Sequence, residues 1–158
     1  MRIGFGYDVH RLGKNEDLIL AGEKIDYPEG LIGHSDADVL VHALMDSILG
    51  ALALGDIGKH FPDTDDRYKG ISSMLLLKEV CNLIAKEGYE LNNADVTLVM
   101  QAPKIAPYID KMRENISFIM NTPVKNISIK ATTEEKLGFS GRKEGIKAYS
   151  VCLLKEKE

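Results

Sequence analysis

Asp8 and His10 stand two residues apart near the start of the chain, and His42 follows in a segment with carboxylates on either side of it. In an extended strand Ile3, Phe5 and Tyr7 point one way, while Gly4, Gly6, Asp8 and His10 point the other. The carboxylate and the imidazole then share one face, above glycines that leave room for a ligand. Alone, the pair is better read as a turn in which Asp8 merely holds His10. A third group extends the chemistry. Read as a helix, GHSDADVLVHALMDSILG repeats Asp38, His42 and Asp46 at i, i+4 and i+8 on one face. Ala37, Leu40, Leu44, Ile48 and Ala51 supply its apolar side. An imidazole flanked on its own face by carboxylates has the pattern of a metal ligand with hydrogen-bonded support. Asp8, His10 and His42 together make a three-ligand N/O set that suits zinc and leaves a fourth tetrahedral position for substrate. His34, just before the helix, is expected near its N-terminus, where backbone N–H groups favour an anion.

Three more segments carry polar groups beyond what a core needs. LGDIGKHFPDTDD, residues 54–66, is acidic and broken by glycine. It is either a solvated surface loop or a mobile substrate-covering loop in which Asp56 binds a sugar hydroxyl. MQAPK, residues 100–104, puts Pro103 and Lys104 at the C-terminal end of an apolar strand, where α/β sheets bind ligands. KATTEEKLGFSGRKEGI, residues 130–146, offers Thr132, Thr133 and Glu135 ahead of three glycines. Hydroxyls and amides for phosphate, with a carboxylate for Mg²⁺, fit a diphosphate site.

These side chains need a scaffold, and 158 residues suffice for one well-buried core, hence one domain over 1–158. The strand pattern covers 2–8, 17–25, 94–101, 126–133 and 146–154, and the helix pattern covers 36–54, 71–87 and 105–120. Ser35 with Asp38 three residues on reads as a capping-box-like start, Gly88 as a C′ stop, and Pro107 as a first-turn proline. The order predicts an α/β (α+β) fold: a mixed β-sheet with helices packed on one face. The other sheet face then needs a separate cover, which hints at oligomerisation. A net charge of −4 argues against nucleic acid or an anionic membrane as the main partner. No apolar run is long enough to span a bilayer and the first strand begins at once, so neither membrane nor leader is expected. Cys81 and Cys152 lack CxxC spacing and are expected as buried free thiols in a reducing cytoplasm.

DVH at 8–10, GHSDADVLVHALMDSILGA at 33–51, GDIGKHFPDTD at 55–65, QAPK at 101–104 and KATTEEKLGFSGRKEGI at 130–146 closely resemble the 2-C-methyl-D-erythritol 2,4-cyclodiphosphate synthase family. The resemblance runs the full length, in order, without a large insertion. It implies conversion of 4-diphosphocytidyl-2-C-methyl-D-erythritol 2-phosphate to the cyclic diphosphate and CMP, in non-mevalonate isoprenoid synthesis. By position it makes Asp8, His10 and His42 zinc ligands, and Glu135 the ligand of magnesium or manganese between the α- and β-phosphates. His34 and Thr133 become the catalytic residues that position the phosphates or stabilise their transition state. Substrate binding falls to Ser35 and Thr132, to Asp56 and Gly58 near the ribose, and to Phe61, Asp63 and Asp65 at the erythritol end. Met100, Pro103, Lys104, Ala106 and Ala131 would form the cytosine pocket. The resemblance also implies a homotrimer with sheets facing its centre and active sites between subunits. Phe139 and Arg142 would line a central cavity that can meet an isoprenoid diphosphate. The family more often has a small residue in place of Met100 and proline in place of Asp66.

This chemistry needs no strong base. The attacking 2-phosphate, with a second pKa near ~6, is largely dianionic at neutral pH. Repulsion between phosphates and the ordering of the ring oppose reaction. Cations answer the first, and in-line positioning, worth ~7–11 kcal/mol in favourable cases, answers the second. The alternatives are a metal-dependent phosphoesterase using the same ligands, and a non-enzymatic module that binds a nucleotide or isoprenoid diphosphate.

Overall fold

The computed structural model describes residues 1–157. Among these described residues seven strands form: β1 (Arg2–Lys14), β2 (Leu18–Leu20), β3 (Glu23–Ile25), β4 (Glu29–Leu31), β5 (Tyr89–Val99), β6 (Ile127–Thr132) and β7 (Gly145–Glu156). The helices are α1 (Val39–Ala51), α2 (Ile57–His60), α3 (Ser73–Lys86), α4 (Ile109–Met120) and α5 (Gly138–Gly141). A mixed five-stranded sheet runs β4-β1-β7-β5-β6, and β2-β3 forms a separate hairpin. β5 and β6 are parallel, while β1–β7, β5–β7 and β1–β4 are antiparallel.

The expected α/β layering is present, and the boundaries shift for local reasons. Strand 2–8 extends to Lys14 because β7 and β4 supply its ladder in turn. The run at 17–25 is two short strands around Ala21 and Gly22, whose φ of 49° and 71° make the tight hairpin turn. Helix 36–54 starts at Val39, because the Asp38 carboxylate, not the Ser35 hydroxyl, accepts from the Val41 N–H at 3.1 Å. Ala37, counted on its apolar side, precedes the helix in a left-handed conformation (φ 54°). Helix 105–120 divides into a 3₁₀ turn at Ala106–Tyr108 and α4, with Asn121 in the left-handed C-cap conformation. Gly88 follows α3 at φ 80°, as its stop requires.

The glycines of β1 do not leave room for a ligand. They admit a helix. A Cβ on Gly4 would lie 1.8 Å from the Ser47 carbonyl oxygen, and one on Gly6 would lie 2.0 Å from that of Ala43. α1 therefore rests directly on the β1 backbone, which a side chain at either position would prevent. Ser47 and Ser150 join α1 to β7 through a buried 3.0 Å hydroxyl contact. Leu40, Leu44, Met45, Ile48 and Leu49 are fully buried, and α3 packs over α1 from outside.

On the opposite sheet face the short α5 reaches Lys147 through Phe139, and the β1 part of that face is open to solvent. Ile3 and Phe5 on it are 69% and 63% exposed, and Tyr7, Val9 and Val151 are also exposed. Ile3, Phe5 and Tyr7 do share one face of the first strand, and that face is the exposed one. Among the described residues no helix is long and apolar enough to cross a membrane. Both cysteines are free; Cys152 is buried but Cys81 only partly so, contrary to expectation. Burial pushes the Cys81 thiol up to about 12.

Candidate active site

The approach of α1 to β1 brings His42 beside Asp8 and His10. Asp8 Oδ2 lies 2.9 Å from His10 Nε2 and 3.1 Å from His42 Nδ1, and the two nitrogens are 3.1 Å apart. Each imidazole has committed its other nitrogen. His10 Nδ1 is 2.9 Å from the Ile32 carbonyl, which only accepts, so in the neutral ring Nδ1 holds the hydrogen and Nε2 a lone pair. His42 Nε2 is 2.9 Å from Ser73 Oγ, whose own hydrogen goes to Asp36 Oδ1. His42 therefore donates from Nε2 and turns a lone pair toward Asp8 from Nδ1. Three acceptor sites converge with no donor between them, which calls for a cation.

The residues fit one. Tetrahedral ligands at about 2.0–2.2 Å from zinc stand about 3.3–3.6 Å from each other, about 0.2–0.7 Å wider than the 2.9–3.1 Å spacing here. Burial opposes ionisation of Asp8, but the hydrogen bonds and charges of His10 and His42 outweigh it and bring its pKa to about 2. Burial likewise opposes charge on His10, yet Asp8 raises its pKa, so protons and metal compete for the same pair.

A cleft of about 460 Å³ opens on these three side chains, with Gly33, His34, Ser35, Ile57, Gly58, Phe61, Pro62, Asp63, Tyr68 and Leu76 completing its wall. Of the residues expected near substrate, His34, Ser35, Gly58, Phe61 and Asp63 are gathered here. Asp56 and Asp65 are not in the wall. Asp56 caps α2 through the Lys59 N–H at 2.9 Å, and Asp65 is bound by the Arg67 guanidinium at 2.6 Å. Asp66 opens the 3₁₀ turn Asp66–Tyr68 that Asp65 caps.

The carboxylate stripe of α1 separates. Asp38 is fully buried, accepting from Val41 and from the Gly22 N–H at 2.9 Å, and burial followed by repulsion from Asp36 raises its pKa to about 6. The α1 N-terminus is thereby closed by the protein's own carboxylate, and His34 does not sit at an open anion site. Asp46 accepts the Ile57 N–H at 2.8 Å and so fixes the start of α2; burial raises its pKa.

A second cleft, about 350 Å³, lies at the C-terminal ends of the parallel strands β5 and β6. Met100, Pro103, Lys104, Ala106, Ala131, Thr132 and Thr133 line it with Gln101, Ile105 and Ile109. Glu135 stands beside it, outside the wall, held at φ 52° by Thr133: its N–H donates to Thr133 Oγ1 at 3.2 Å, and that hydroxyl faces Glu135 Oε1 at 3.3 Å. A single carboxylate next to a hydroxyl suits a magnesium ion held mainly through substrate phosphates and water. Asp8, Ala148, Leu98 and Ala131 pair in one row across the sheet, so both clefts occupy the same sheet end. Three strand steps of about 4.8 Å separate β1 from β6 by about 14 Å, and the clefts share no lining residue. Phe139 and Arg142 line neither cleft: Phe139 packs under the Lys147 ammonium, and Arg142 pairs with Glu144 at 2.7 Å.

Ser73, Asp36, Tyr68 and Leu76 were missed in the sequence. Ser73 follows Ser72, and only one of two adjacent serines can cap α3. Ser72 does so, and the surplus hydroxyl was the available signal.

The YgbB family profile matches residues 1–155. The 2-C-methyl-D-erythritol 2,4-cyclodiphosphate synthase of Clostridioides difficile is 63% identical over 154 residues, covering 98% of this chain and 96% of its own. The bifunctional IspDF of Campylobacter jejuni superposes with a TM-score of 0.96 at 45% identity, over 99% of this chain and 42% of its own length. The Plasmodium falciparum IspF CDP complex superposes with a TM-score of 0.87 at 37% identity, covering 99% of this chain and 97% of that one. A fold, a ligand triangle and two clefts built on the same sheet end thus accompany full-length similarity, and the chain belongs to the YgbB family, alongside relatives named 2-C-methyl-D-erythritol 2,4-cyclodiphosphate synthase.

Proposed function

We propose that this chain, as a single catalytic domain over residues 1–158, is a cyclising phosphorus–oxygen lyase. It converts 4-diphosphocytidyl-2-C-methyl-D-erythritol 2-phosphate to 2-C-methyl-D-erythritol 2,4-cyclodiphosphate and CMP. The observation that carries this reading is the triangle of Asp8, His10 and His42 opening into a polar cleft. The names of the relatives supply the product, and the CDP complex of the Plasmodium falciparum relative supports a cytidine nucleotide as substrate. Zinc held by the triangle, and magnesium or manganese at Glu135, would supply Lewis-acid neutralisation of the phosphates.

The chain's own groups do the remaining work. His34 and Ser35 offer an imidazole and a hydroxyl to phosphate oxygens beside the triangle. Phe61 and Asp63 give the erythritol end one apolar and one polar wall. Met100, Pro103, Lys104, Ala106 and Ala131 enclose the cytosine, in keeping with the CDP complex of the Plasmodium falciparum relative. Thr133 orients Glu135 and presents its hydroxyl to the diphosphate. The apolar face of Ile3, Phe5, Tyr7, Val9 and Val151 is buried in a homotrimer, in which the metal cleft of one subunit meets the second cleft of its neighbour. Phe139 and Arg142 then face a central cavity able to take an isoprenoid diphosphate. The setting is the cytoplasm, where Cys81 and Cys152 stay reduced.

The test is turnover of the cytidyl substrate with Zn²⁺ and Mg²⁺, with CMP followed by chromatography and the cyclic product by phosphorus NMR. Open-chain phosphates would favour a phosphoesterase. Binding without product would favour a nucleotide- or isoprenoid diphosphate-binding module.

A further inference from the structure

Asp36 and Ser73 form a closed hydrogen-bonded pair behind His42. Asp36 Oδ2 accepts the Ser73 N–H at 2.9 Å, and Asp36 Oδ1 accepts the Ser73 hydroxyl. With its hydrogen committed, Ser73 Oγ can only accept from His42, 2.9 Å away. Ser35 Oγ, 3.2 Å from the same nitrogen, already accepts the Ala37 N–H at 3.3 Å. Its lone pairs also suit an N–H donor. Two backbone bonds fix the pair in space: Asp36 N–H to the Ile71 carbonyl at 3.0 Å and Gly70 N–H to the His34 carbonyl at 2.8 Å.

We infer that Asp36 and Ser73 are positioning residues that act through His42, holding its hydrogen on Nε2 so that the Nδ1 lone pair is available to a metal ion. The inference rests on the metal-centre reading above. The direction of each hydrogen bond is set by Asp36, the one member with no hydrogen to give. If Asp36 became a donor, Ser73 would turn its hydrogen to His42 Nε2. The imidazole hydrogen would move to Nδ1, where the Asp8 carboxylate at 3.1 Å would accept it. That tautomer has no lone pair for a cation.

Asp36→Asn makes this reversal. The amide oxygen keeps the Ser73 N–H at 2.9 Å in preference to the longer Asp38 N–H contact at 3.3 Å, which places the amide NH₂ against Ser73 Oγ. Support of this kind around a ligating histidine is worth about 10–100-fold in metal affinity. The experiment titrates Zn²⁺ against a chromophoric chelator in the full-length protein, for the parent, Ser73→Ala, Asp36→Asn and the double variant. Nitrogen-15 NMR of the metal-free proteins locates the His42 hydrogen.

Asp36→Asn should bind at least tenfold more weakly than the parent and carry the hydrogen on Nδ1. Ser73→Ala should lose less, since Ser35 still accepts. The double variant should recover to the level of Ser73→Ala, because the misdirected donor is gone. A pair that merely braces the loop would make the double variant the weakest, and that result overturns the inference. So does an Asp36→Asn protein with parental affinity or its hydrogen on Nε2. If Asp36→Asn does not fold, a Ser73→Ala protein that binds zinc as tightly as the parent and keeps a single Nε2–H tautomer overturns it equally. A parent that binds no zinc overturns the metal-centre reading and this inference together.

Discussion

Gly6 of β1 lies so close to Ala43 of α1 that a Cβ would stand 2.0 Å from the Ala43 carbonyl oxygen and 2.7 Å from the Ser47 nitrogen. Both obstacles are backbone, so no rotamer change relieves them. Gly6→Ala must push α1 outward, and His42 leaves the triangle with it. Overpacking of a tight core costs about 1–3 kcal/mol, and this site belongs at the upper end. Urea unfolding should show that loss, and elemental analysis should show metal well below one ion per chain. A variant with parental stability and full metal content would contradict this account of the β1 glycines.

Asp8→Ala and His42→Ala should each abolish zinc retention and turnover while the fold survives. Zinc at a hundredfold excess over its dissociation constant should stabilise the parent by about 2.7 kcal/mol, and neither variant should gain this. Stoichiometric zinc in either purified variant would remove the residue from the ligand set.

Much of this centre is legible before folding. Asp8, His10 and His42 can be picked out from residue type and spacing, because a carboxylate and two imidazoles at strand and helix intervals have few structural uses. The glycines beside them are misleading: an absent side chain reads the same whether a ligand or a helix fills the space. The carboxylates of α1 mislead differently. Spacing puts Asp38, His42 and Asp46 on one face, but a helix that starts at Val39 turns Asp38 into a cap and Asp46 into an anchor for Ile57. β4 is three residues long and takes its partner from residues 12–14, so no periodicity announces it.

Glu135→Gln should keep zinc and lose Mg²⁺-dependent turnover. The amide preserves shape but not the charge that holds a hard cation. An unchanged Mg²⁺ activation curve would exclude Glu135 as the second metal's ligand.

If the proposed homotrimer shares its sites between subunits, Asp8→Ala and Glu135→Ala proteins, each inactive alone, should regain activity when unfolded together and refolded as mixed assemblies. Random assortment around a closed ring gives about a quarter of interfaces an intact zinc side and an intact Glu135 side. Demonstrated subunit mixing with no recovered activity would assign a complete site to each chain.

Asp38 should make the metal-free protein less stable as pH rises between about 4 and 6. Burial and the nearby Asp36 raise its folded pKa from 3.8 to about 6, so in that window the folded chain keeps a proton the unfolded chain has released. Stability from the neutral form is present below the unfolded pKa and lost through the folded one, about 3 kcal/mol in all at 1.36 kcal/mol per unit. Denaturant unfolding at pH 4.5, 5.5 and 6.5 should show the decline, and Asp38→Asn should flatten it. Equal slopes in both proteins would contradict the assignment.

Between Ile57, tied to Asp46, and Gly70, tied to the His34 carbonyl, the chain makes an excursion anchored at both ends. Closing such an excursion costs little more when it is longer, about 0.6 kcal/mol for each doubling of length. Insertions near Pro62 to Asp66 would therefore leave the anchors and the triangle undisturbed, changing only the wall that meets the far end of a substrate. One residue added between Gly70 and Ser73 would instead pull Ser73 out of line with Asp36 and His42. The fold separates a stretch where length can drift over generations from one where the count of residues is bound to the metal.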